Sequence, residues 1–475
     1  MIVNISRHLA LAASLSMTIF LALPLGAQEK KPTKWLHIFR NDNSFTSMPA
    51  DKADNISFSL TEANRPAAMV VETTDGEKTE VPVSAIDRWN VGNDVPKLII
   101  TTDPVVDDVT SKEEYLSAKV EIKGQGIIED LAATDVSIKG RGNSTWRPDD
   151  GIKLPYRLKF DKKLSLAGMR KAKNYVLLAN YFDHSLMRNA VAMEVARQLG
   201  IKYVNNMVPV DVEMNGKYKG SYQLTEKVGI NSGSMSDIDE KNSILFELDN
   251  QYDEKYCYTS PVYQLPVMVK DPDITDGQWE EWQDDFSAAE KLVSEGRAAE
   301  AFDAKDCARY MLMFSICANR ELRFPKSCYI YKTKPADGTP TLYHFGPVWD
   351  FDMGFGNVKE DNYTALIENV KQPLFTNMFL FGSQFFKALC SQDEIKAAMK
   401  EVADEFVKSG APDKIMAFYD NYAKDTEATW ARDMTAERQV GWRTYQLDHD
   451  YIKRLREWIK SRIDFVLGDS SFGLF

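Results

Sequence analysis

Cysteine and histidine are scarce in this chain of 475 residues, which contains five of each. No CxxC pair occurs and no histidine stands at a spacing that suits zinc, so the sequence gives no sign of a disulfide-stapled scaffold or of a structural zinc site. The patterns GxSxG and HExxH are also absent, which leaves serine-hydrolase and zinc-protease chemistry without support. We expect the cysteines to be mostly small buried residues, with at most one or two disulfides.

Long runs of basic residues are missing too, and the formal net charge is -12. Nucleic acids and anionic membranes attract concentrated Lys and Arg, so the composition argues against a general binder of either, and we expect no nucleic-acid partner. A local basic pocket remains compatible with this balance. The apolar and aromatic fractions, 44% and 11%, are those of an ordinary globular protein, and the length allows two or three domains.

Long apolar runs are confined to the start of the chain. Residues 1–27 combine Arg7, an apolar stretch from about Leu9 to Leu25 and small residues at the end, which predicts a secretory signal peptide cut after Ala27. A membrane anchor is the alternative, but the stretch contains a proline and is near the lower length limit for a span. We therefore expect an exported protein, periplasmic, cell-surface or secreted, with no transmembrane segment in the mature chain.

Strand patterns dominate the first half of the chain. Residues 28–95 hold short β-like runs around the turn DGEK and predict a small accessory β-module. From 96 to 270, strand runs alternate with Gly and Asn breaks, and the Asn-Gly pair in NGKYKG predicts a tight hairpin. One helix is predicted among them, DHSLMRNAVAMEVARQLG, which Asp183 or Ser185 can cap and Gly200 can close.

Helix patterns dominate residues 271–475, where one hairpin is embedded, SCYIYK followed by TLYHFGPVWDFD. This order predicts an α+β protein in which a β-rich N-lobe lies over a mostly helical C-lobe, with a ligand cleft between them. That arrangement is kinase-like, so we expect a two-lobed kinase-like fold that is preceded by the small β-module.

Two carboxylates lie one residue apart in GPVWDFDMGFGN, at Asp350 and Asp352. On an extended backbone both would project from one face, while Phe351 would point the other way. Two adjacent anions in an apolar setting repel each other, so an arginine cluster, backbone amides or a divalent metal must hold them. Asp352 has a second interpretation, the cap of a turn.

The run KGRGN places Lys139, Arg141 and Asn143 alternately on one face of a predicted strand, separated by two glycines. Glycines let a ligand approach the backbone, and the flanking donors suit phosphate, so this run is a candidate phosphate site. A tight bend in the β-rich lobe is the alternative interpretation.

Five stretches, taken together and in order, resemble the CotH kinase family, which comprises secreted or spore-coat bacterial proteins with an atypical protein-kinase fold. They are IKGRGNSTW, KLPYRLKFDKKLSLAGM, KNYVLLANYFDHSLMRN, NGKYKGSYQLTEKV and GPVWDFDMGFGN. The resemblance covers about residues 97–357 and extends into the helical tail. It implies phosphorylation of Ser or Thr on a protein substrate, with ATP and either Mg²⁺ or Mn²⁺ as cofactors.

The resemblance also implies roles for single residues. Asp350 takes the place of the metal-binding aspartate that follows a kinase hairpin, and Asp352 is either a second metal ligand or the cap of a turn. Lys159 stands where a kinase holds the α- and β-phosphates, and Arg157 shares its strand face. Glu226 falls near the connection between the lobes. The predicted nucleotide-binding residues are Lys139, Arg141, Asn143, Arg157, Lys159 and Glu226.

The position of the catalytic base departs from the kinase pattern. In ANRELRFPKSCYIYK, Glu321 stands where an aspartate is expected, and Lys326 or Ser327 stands where the second metal ligand, commonly Asn, is expected. Glutamate can accept a hydroxyl proton, but its extra methylene moves the carboxylate by about 1 Å, and such misplacement costs roughly a hundredfold in rate. We therefore predict Glu321, together with Asp350, as the catalytic pair, with Glu321 as a weak base.

Two other functions compete with a kinase. A catalytically inactive kinase-fold protein could bind ligands at the cell envelope, and the departures at Glu321 and Ser327 favour it. A carbohydrate-active enzyme is the weaker alternative, because Asp350 and Asp352 are too close in sequence to face each other across a sugar. That geometry requires carboxyl groups about 5 Å or more apart.

Overall fold

The computed structural model describes residues 34–41, 45–63, 65–150, 152–335, 337–357, 369–375, 380–435 and 449–475. The predicted signal peptide, residues 1–27, lies outside the described residues. The described part of the chain is a mixed α+β protein with eighteen strands and eight helices. This confirms the predicted α+β class.

The described residues from 34 to 92 form two antiparallel sheets of three strands each. Their strands are β1 (Trp35–Arg40), β2 (Phe45–Pro49), β3 (Ala53–Leu60), β4 (Pro66–Thr73), β5 (Lys78–Pro82) and β6 (Ile86–Gly92). The orders are β2-β1-β6 and β3-β4-β5. Leu36 and Ile38 from the first sheet share one small core with Met69 and Val71 from the second, and each pair lies two residues apart, as strand alternation requires.

The next seven strands close into a barrel. They are β7 (Lys97–Asp103), β8 (Leu116–Lys123), β9 (Leu131–Gly140), β10 (Tyr156–Leu164), β11 (Ala172–Leu178), β12 (Val208–Met214) and β13 (Lys217–Glu226). Around the barrel the order is β10-β11-β13-β12-β7-β8-β9. β12 pairs with β7 in parallel, Asp211 opposite Lys97, while the other neighbours are antiparallel. The predicted Asn-Gly turn joins β12 to β13, with positive φ at both Asn215 and Gly216.

Strand alternation gives the barrel an apolar inside and a cationic outer face on β9 and β10. Ile138 and Leu158 are fully buried in the barrel core. Lys139 lies opposite Arg157 in the register of these two strands, and Lys159 is two residues further along β10. Because neighbouring residues on a strand point to opposite sides, these three cations share the outer face.

A five-stranded sheet and seven helices make up most of the rest. The strands are β14 (Ser243–Leu248), β15 (Cys257–Thr259), β16 (Pro266–Asp271), β17 (Cys328–Thr333) and β18 (His344–Phe345), in the order β15-β16-β14-β17-β18. The helices are α2 (Asp276–Ser294), α3 (Ala304–Cys317), α4 (Phe381–Cys390), α5 (Asp393–Lys408), α6 (Ala411–Asp425), α7 (Glu427–Thr435) and α8 (His449–Gly468). The embedded hairpin that the sequence predicts is the antiparallel pair β17 and β18.

The first helix, α1 (Arg188–Leu199), packs against α3 and α6. It ends as predicted, with Gly200 in the left-handed conformation at φ +76°. Its start differs from the prediction: the helix begins at Arg188, and Asp183 and Ser185 lie in the preceding turns. Its buried side chains belong to the large core that also contains side chains of the five-stranded sheet and of the C-terminal helices.

All five cysteines are free thiols. Four of them are buried, and Cys257 is partly exposed. This confirms the interpretation as small buried residues. Among the described residues, no helix combines the length and the apolar character that a membrane crossing requires.

Candidate active site

The two aspartates lie in the loop that follows β18. Asp350 has φ +64°, so the backbone is not extended there, and the prediction that the pair shares a strand face is wrong. Side chains, rather than a neighbouring strand, bind the loop backbone: Asn319 Nδ2 donates to the carbonyl of Asp350 (3.2 Å), and the N–H of Phe351 donates to Asn189 Oδ1 (2.7 Å). The turn still keeps the two carboxyl groups close enough that the charge of Asp350 raises the pKa of Asp352.

A fully buried arginine fixes this loop against the start of α1. Arg188 Nε donates to the carbonyl of Gly354 (2.9 Å), Nη1 pairs with Asp183 (2.6 Å) and Nη2 donates to the hydroxyl of Tyr451 (2.6 Å). The Asp183 carboxylate also accepts the backbone N–H groups of Ser185 (2.9 Å) and Arg188 (2.8 Å). Asp183 and Arg188 are therefore structural residues that hold the loop in place.

The predicted catalytic base lies beside the two aspartates. Glu321 lies in one turn of 3₁₀ helix, Arg320–Arg323, after α3, and its N–H donates to Asn319 Oδ1 (3.0 Å). Since the amide of Asn319 also binds the carbonyl of Asp350, one side chain positions both segments. Burial raises the pKa of Glu321, Asp350 and Asp352, and the charges of the two aspartates raise the pKa of Glu321 further.

The three carboxyl groups have no direct cationic partner in the part of the chain that the structure describes. Among the described residues, no lysine or arginine nitrogen lies within 4.0 Å of Glu321, Asp350 or Asp352. The positive charges of Arg141 and Lys326 act from further away and oppose the rise in the pKa of Asp350. Buried carboxylates without an ion pair are costly, and carboxylate oxygens are the ligands that Mg²⁺ prefers. The donor set therefore fits a hard divalent cation, and no arginine of the described ranges binds these carboxyl groups directly.

Two further acids at the end of β14 were not predicted. Asp249 is 7% exposed, accepts the N–H groups of Gln251 (2.9 Å) and Ser327 (3.1 Å), and its negative charge also raises the pKa of Glu321. Burial raises the pKa of Asp249 to about 6. Glu247 accepts the hydroxyl hydrogen of a buried tyrosine and forms an ion pair with a lysine of β16 (2.7 Å). The sequence carried a usable signal, because ELD repeats the one-residue acid spacing at the end of an apolar strand.

Arg141 connects the barrel with the loop that carries Asp350 and Asp352, which we call the acid loop. Its guanidinium carbon lies 5.5 Å from the ring centre of Trp349, next to Asp350. Burial lowers the pKa of Arg141, and the nearby negative charge of Asp350 opposes this. The preceding Gly140 is required by packing, since a Cβ there would lie 1.8 Å from the ring of Trp146. The structure thus brings the GxG run to the acid pair.

The other predicted cations extend along the same outer face of the barrel. The ammonium groups of Lys139 and Lys159 lie 5.0 and 5.6 Å from the ring centre of Tyr115. Arg157 Nη2 donates to Asn174 (3.0 Å), while its Nε is buried and has no hydrogen-bond partner in the described structure. An unsatisfied buried donor between lysines is what a phosphate oxygen would complete.

Two predicted binding residues have other partners. β9 ends at Gly140 and the chain turns at Gly142, φ +90°, so the prediction that Asn143 continues the strand face is wrong. Asn143 is exposed, and its side chain binds Asp253 (3.4 Å). The Glu226 carboxylate accepts the N–H (2.9 Å) and the side-chain amide (2.6 Å) of Asn206. The assignment of Asn143 and Glu226 to nucleotide binding stays a prediction.

Comparison with known proteins agrees with the resemblance read from the sequence. The family model described as CotH kinase protein matches residues 138–466, more than half of the chain. No curated protein matches it. The matched range runs from within β9 into α8. It includes the acid cluster, which consists of Glu321, Asp350 and Asp352, and the cationic barrel face, which consists of Lys139, Arg157 and Lys159. The chain belongs to the CotH kinase family.

Proposed function

We propose that this protein binds ATP with Mg²⁺ or Mn²⁺ and transfers the γ-phosphoryl group to Ser or Thr of a protein substrate. The observation that supports this best is the opposition of charges across Arg141. On one side lies the cationic face of the barrel, and on the other lie the buried carboxyl group of Asp352 and the half-buried ones of Glu321 and Asp350. Among the described residues, none of the three has a direct cationic partner. ATP carries negative phosphates and travels with a divalent cation, so it matches both sides at once.

In this proposal the molecule is a two-lobed kinase-like fold. Residues 28–95 are the accessory module, residues 96–270 the β-rich N-lobe and residues 271–475 the C-lobe. The seven-stranded barrel forms most of the N-lobe. β14, before residue 270, pairs with β17, after it, so the five-stranded sheet connects the two lobes. The nucleotide would lie between the barrel face and the acid loop.

The chain's own groups have separate tasks in this reaction. Asp350 and Asp352 would hold the cation, whose charge offsets that of the phosphates. Lys139, Arg157 and Lys159 would hold phosphate oxygens on the barrel side. Charged donors in fixed positions stabilise the charge that develops on the transferred group without reorganising during the reaction.

Glu321 would serve as the general base. Its carboxylate would take the proton of the acceptor hydroxyl while that oxygen bonds to the γ-phosphorus and ADP departs. A base works best when its pKa is near the working pH, and burial raises the pKa of Glu321 in that direction. A cation bound by Asp350 would oppose this rise and keep part of the glutamate ionised.

We also propose that the protein is exported, with residues 1–27 as the signal peptide. The apolar run and the small residues at its end support this. Retention of these residues in the mature protein, determined by N-terminal mass spectrometry after expression in a bacterial host, would contradict it.

Phosphate transfer from labelled ATP tests the proposal. The purified chain is incubated with a mixture of envelope proteins and Mn²⁺ or Mg²⁺, and Asp350→Ala and Asp393→Ala are compared with it. Asp393 is a suitable control because its side chain is 99% exposed at the start of α5. We expect label to be incorporated by the unchanged chain and by the control, and lost in Asp350→Ala. Equal labelling by all three would contradict the proposal.

An inactive nucleotide-binding protein is the second candidate. It is favoured by Glu321 in place of the aspartate and by the lysine and serine in place of the asparagine. A thermal-shift titration separates the two candidates. Stabilisation by ATP with Mn²⁺ but no transfer by the unchanged chain indicates the inactive binder, while both together indicate the enzyme.

A further inference from the structure

Two lysines of the cationic barrel face share one aromatic partner. The ammonium groups of Lys139 and Lys159 lie 5.0 and 5.6 Å from the ring centre of Tyr115, and both distances are within the range of a cation–π attraction. Tyr115 directly precedes β8, and in the register of β8 with β9 Leu116 lies opposite Ile138. This antiparallel register brings Tyr115 level with Lys139, so the barrel itself sets the position of the ring.

The two lysines have no acidic partner. Among the described residues, no carboxylate oxygen lies within 4.0 Å of either ammonium group. In the register of β9 and β10, Lys139 lies opposite Arg157 and Lys159 lies opposite Ser137, so their neighbours across the strands are a cation and a hydroxyl group. The ring of Tyr115 attracts both ammonium groups through its quadrupole and carries no net charge that could neutralise them. Their positive charge therefore stays available to an external anion.

The acid that could hold Lys159 has other partners. In protein kinases the phosphate-binding lysine forms an ion pair with a glutamate of a helix. Here α1 carries one glutamate, Glu194, whose carboxylate accepts the side-chain amide of Gln198 (2.7 Å) and lies 3.6 Å from a guanidinium nitrogen of Arg197. Both partners belong to α1 itself, and the carboxylate of Glu194 is more than 4.0 Å from the ammonium group of Lys159. The ring of Tyr115 is therefore the partner that holds this lysine.

We propose that Tyr115 is a positioning residue of the phosphate site, whose ring holds Lys139 and Lys159 in place of the helix glutamate of ordinary kinases. This inference rests on the function proposed above, because it assigns the two lysines to the phosphates of ATP. An acid in the place of the ring would form ion pairs with the lysines and compete with phosphate oxygens for them. The ring restrains the same side chains and leaves their charge to the ligand. The phosphate site is then a property of the barrel and does not depend on an ion pair with α1.

Binding of a non-hydrolysable ATP analogue with Mn²⁺, measured by isothermal titration calorimetry on the purified chain, tests this inference. We expect Tyr115→Leu to weaken binding by about 5–30-fold, because it removes two cation–π contacts. Tyr115→Phe keeps the ring and should bind the analogue as tightly as the unchanged chain. Tyr115→Glu should bind it more weakly than Tyr115→Leu, because the new carboxylate would form ion pairs with the lysines.

Two controls separate positioning from a general effect of the substitution. Tyr256→Leu removes a ring outside the barrel whose centre lies 4.3 Å from the ammonium group of Lys255, and Glu194→Gln removes the acid of α1. Both should bind the analogue as tightly as the unchanged chain. Circular dichroism and the thermal midpoint establish that each variant is folded. Because Tyr115 is half-buried, Tyr115→Glu serves as the test if Tyr115→Leu does not fold.

Different results overturn different statements. Binding by Tyr115→Leu that is as tight as that of the unchanged chain overturns the inference and leaves the proposed function standing. Equal weakening in Tyr115→Phe and Tyr115→Leu also overturns it, because the hydroxyl group and not the ring would then be required. Equal weakening in Glu194→Gln overturns it as well, since the helix acid would then be the partner. Failure of the unchanged chain to bind the analogue overturns the proposed function itself, and this inference with it.

Discussion

The loop at Asp183 and the loop at Asp350 both bury a carboxylate near the start of α1, yet their surroundings are opposite. Asp183 accepts two backbone N–H groups, a serine hydroxyl and the guanidinium of Arg188. Asp350 has a second carboxyl group beside it, and its nearest cations act only from a distance. The first loop satisfies its charge within the chain, and the second does not.

This difference separates a structural acid from a candidate ligand-binding acid. Burying a carboxylate is tolerable when hydrogen bonds and an opposite charge replace the lost water, as at Asp183. The acid cluster around Asp350 lacks that replacement, which lowers stability unless an external cation supplies it. The two loops are joined by Arg188, which binds Asp183 and also the carbonyl of Gly354. A rigid, satisfied region thereby positions an unsatisfied one.

Removing the arginine should have the largest effect on stability. We expect Arg188→Ala to lower the free energy of unfolding by about 3–5 kcal/mol, because Asp183 would remain buried and charged without its partner. Urea unfolding followed by circular dichroism measures this. Lys400→Ala is the control, because it removes an exposed ion pair with Asp404 (2.7 Å), for which the expected loss is about 0.3–0.5 kcal/mol. Equal losses in both variants would show that Arg188 does not brace the loop.

Neutralising the unpaired acid should have the opposite effect on stability. We expect Asp350→Asn to leave the metal-free protein as stable as before, or more stable by about 1 kcal/mol, since the repulsion between its half-buried charge and Asp352 is gone. The transfer rate should fall at least about a hundredfold, as the loss of one fixed charge at a reacting phosphate predicts. Urea unfolding and a phosphate-transfer assay measure the two effects. A loss of stability as large as that of Arg188→Ala would contradict the statement that the carboxylate of Asp350 is unsatisfied while that of Asp183 is satisfied.

Shortening the side chain of Glu321 tests its role as the catalytic base. Because Asn319 fixes the backbone of Glu321, the carboxylate position depends on side-chain length. We expect Glu321→Asp to raise the transfer rate by roughly tenfold, because it restores the usual kinase geometry. Glu321→Gln should lower the rate at least about a hundredfold, since it removes the base. Both variants are compared by initial rates at saturating ATP, and equal rates in the two would exclude Glu321 as the base.

The smallest effect should be a pH dependence from Asp249. Its pKa is raised from 3.8 to about 6 by burial, so the folded chain binds this proton more tightly than the unfolded chain. The contribution of Asp249 to stability is therefore present below about pH 4 and is lost as the pH rises to about 6. We expect this loss, about 1–3 kcal/mol, to be absent in Asp249→Asn.

Unfolding free energies of the metal-free protein between pH 4 and 7 measure this dependence. Asp393→Asn serves as the control, because its side chain is 99% exposed. The control should keep the pH profile of the unchanged chain. An unchanged profile in Asp249→Asn would show that Asp249 is ionised in the folded state at the same pH as in the unfolded state.

Local signals in the sequence predicted the local structure well. Asn215 and Gly216 both adopt the positive φ that a two-residue hairpin requires, and Gly200 closes α1. These features depend on the conformational preferences of one or two residues, which are present in any context. The closure of the barrel was not predicted, because it depends on β7 pairing with β12, more than a hundred residues later.

The candidate site shows the same division. Arg141 lies close to Trp349, next to Asp350, while the site roles of the acids at 350 and 352 and of the run at 139 to 141 stay predictions. The expected route to that arrangement, an extended strand, was wrong, because Asn319 and Asn189 bind the loop backbone in another conformation. Asp249 was overlooked, since its importance comes from its contact with Ser327, a residue 78 positions away in the chain.

The sequence by itself determined the α+β class, the Asn-Gly hairpin turn and the C-terminal end of α1, because residue type and short spacing carry that information. Only the tertiary structure decided which of the buried acids are satisfied. Asp183 and Asp350 are the same residue type, and both have apolar neighbours in the sequence. The free energy of a carboxylate, however, depends on the groups that folding brings within a few ångströms of it.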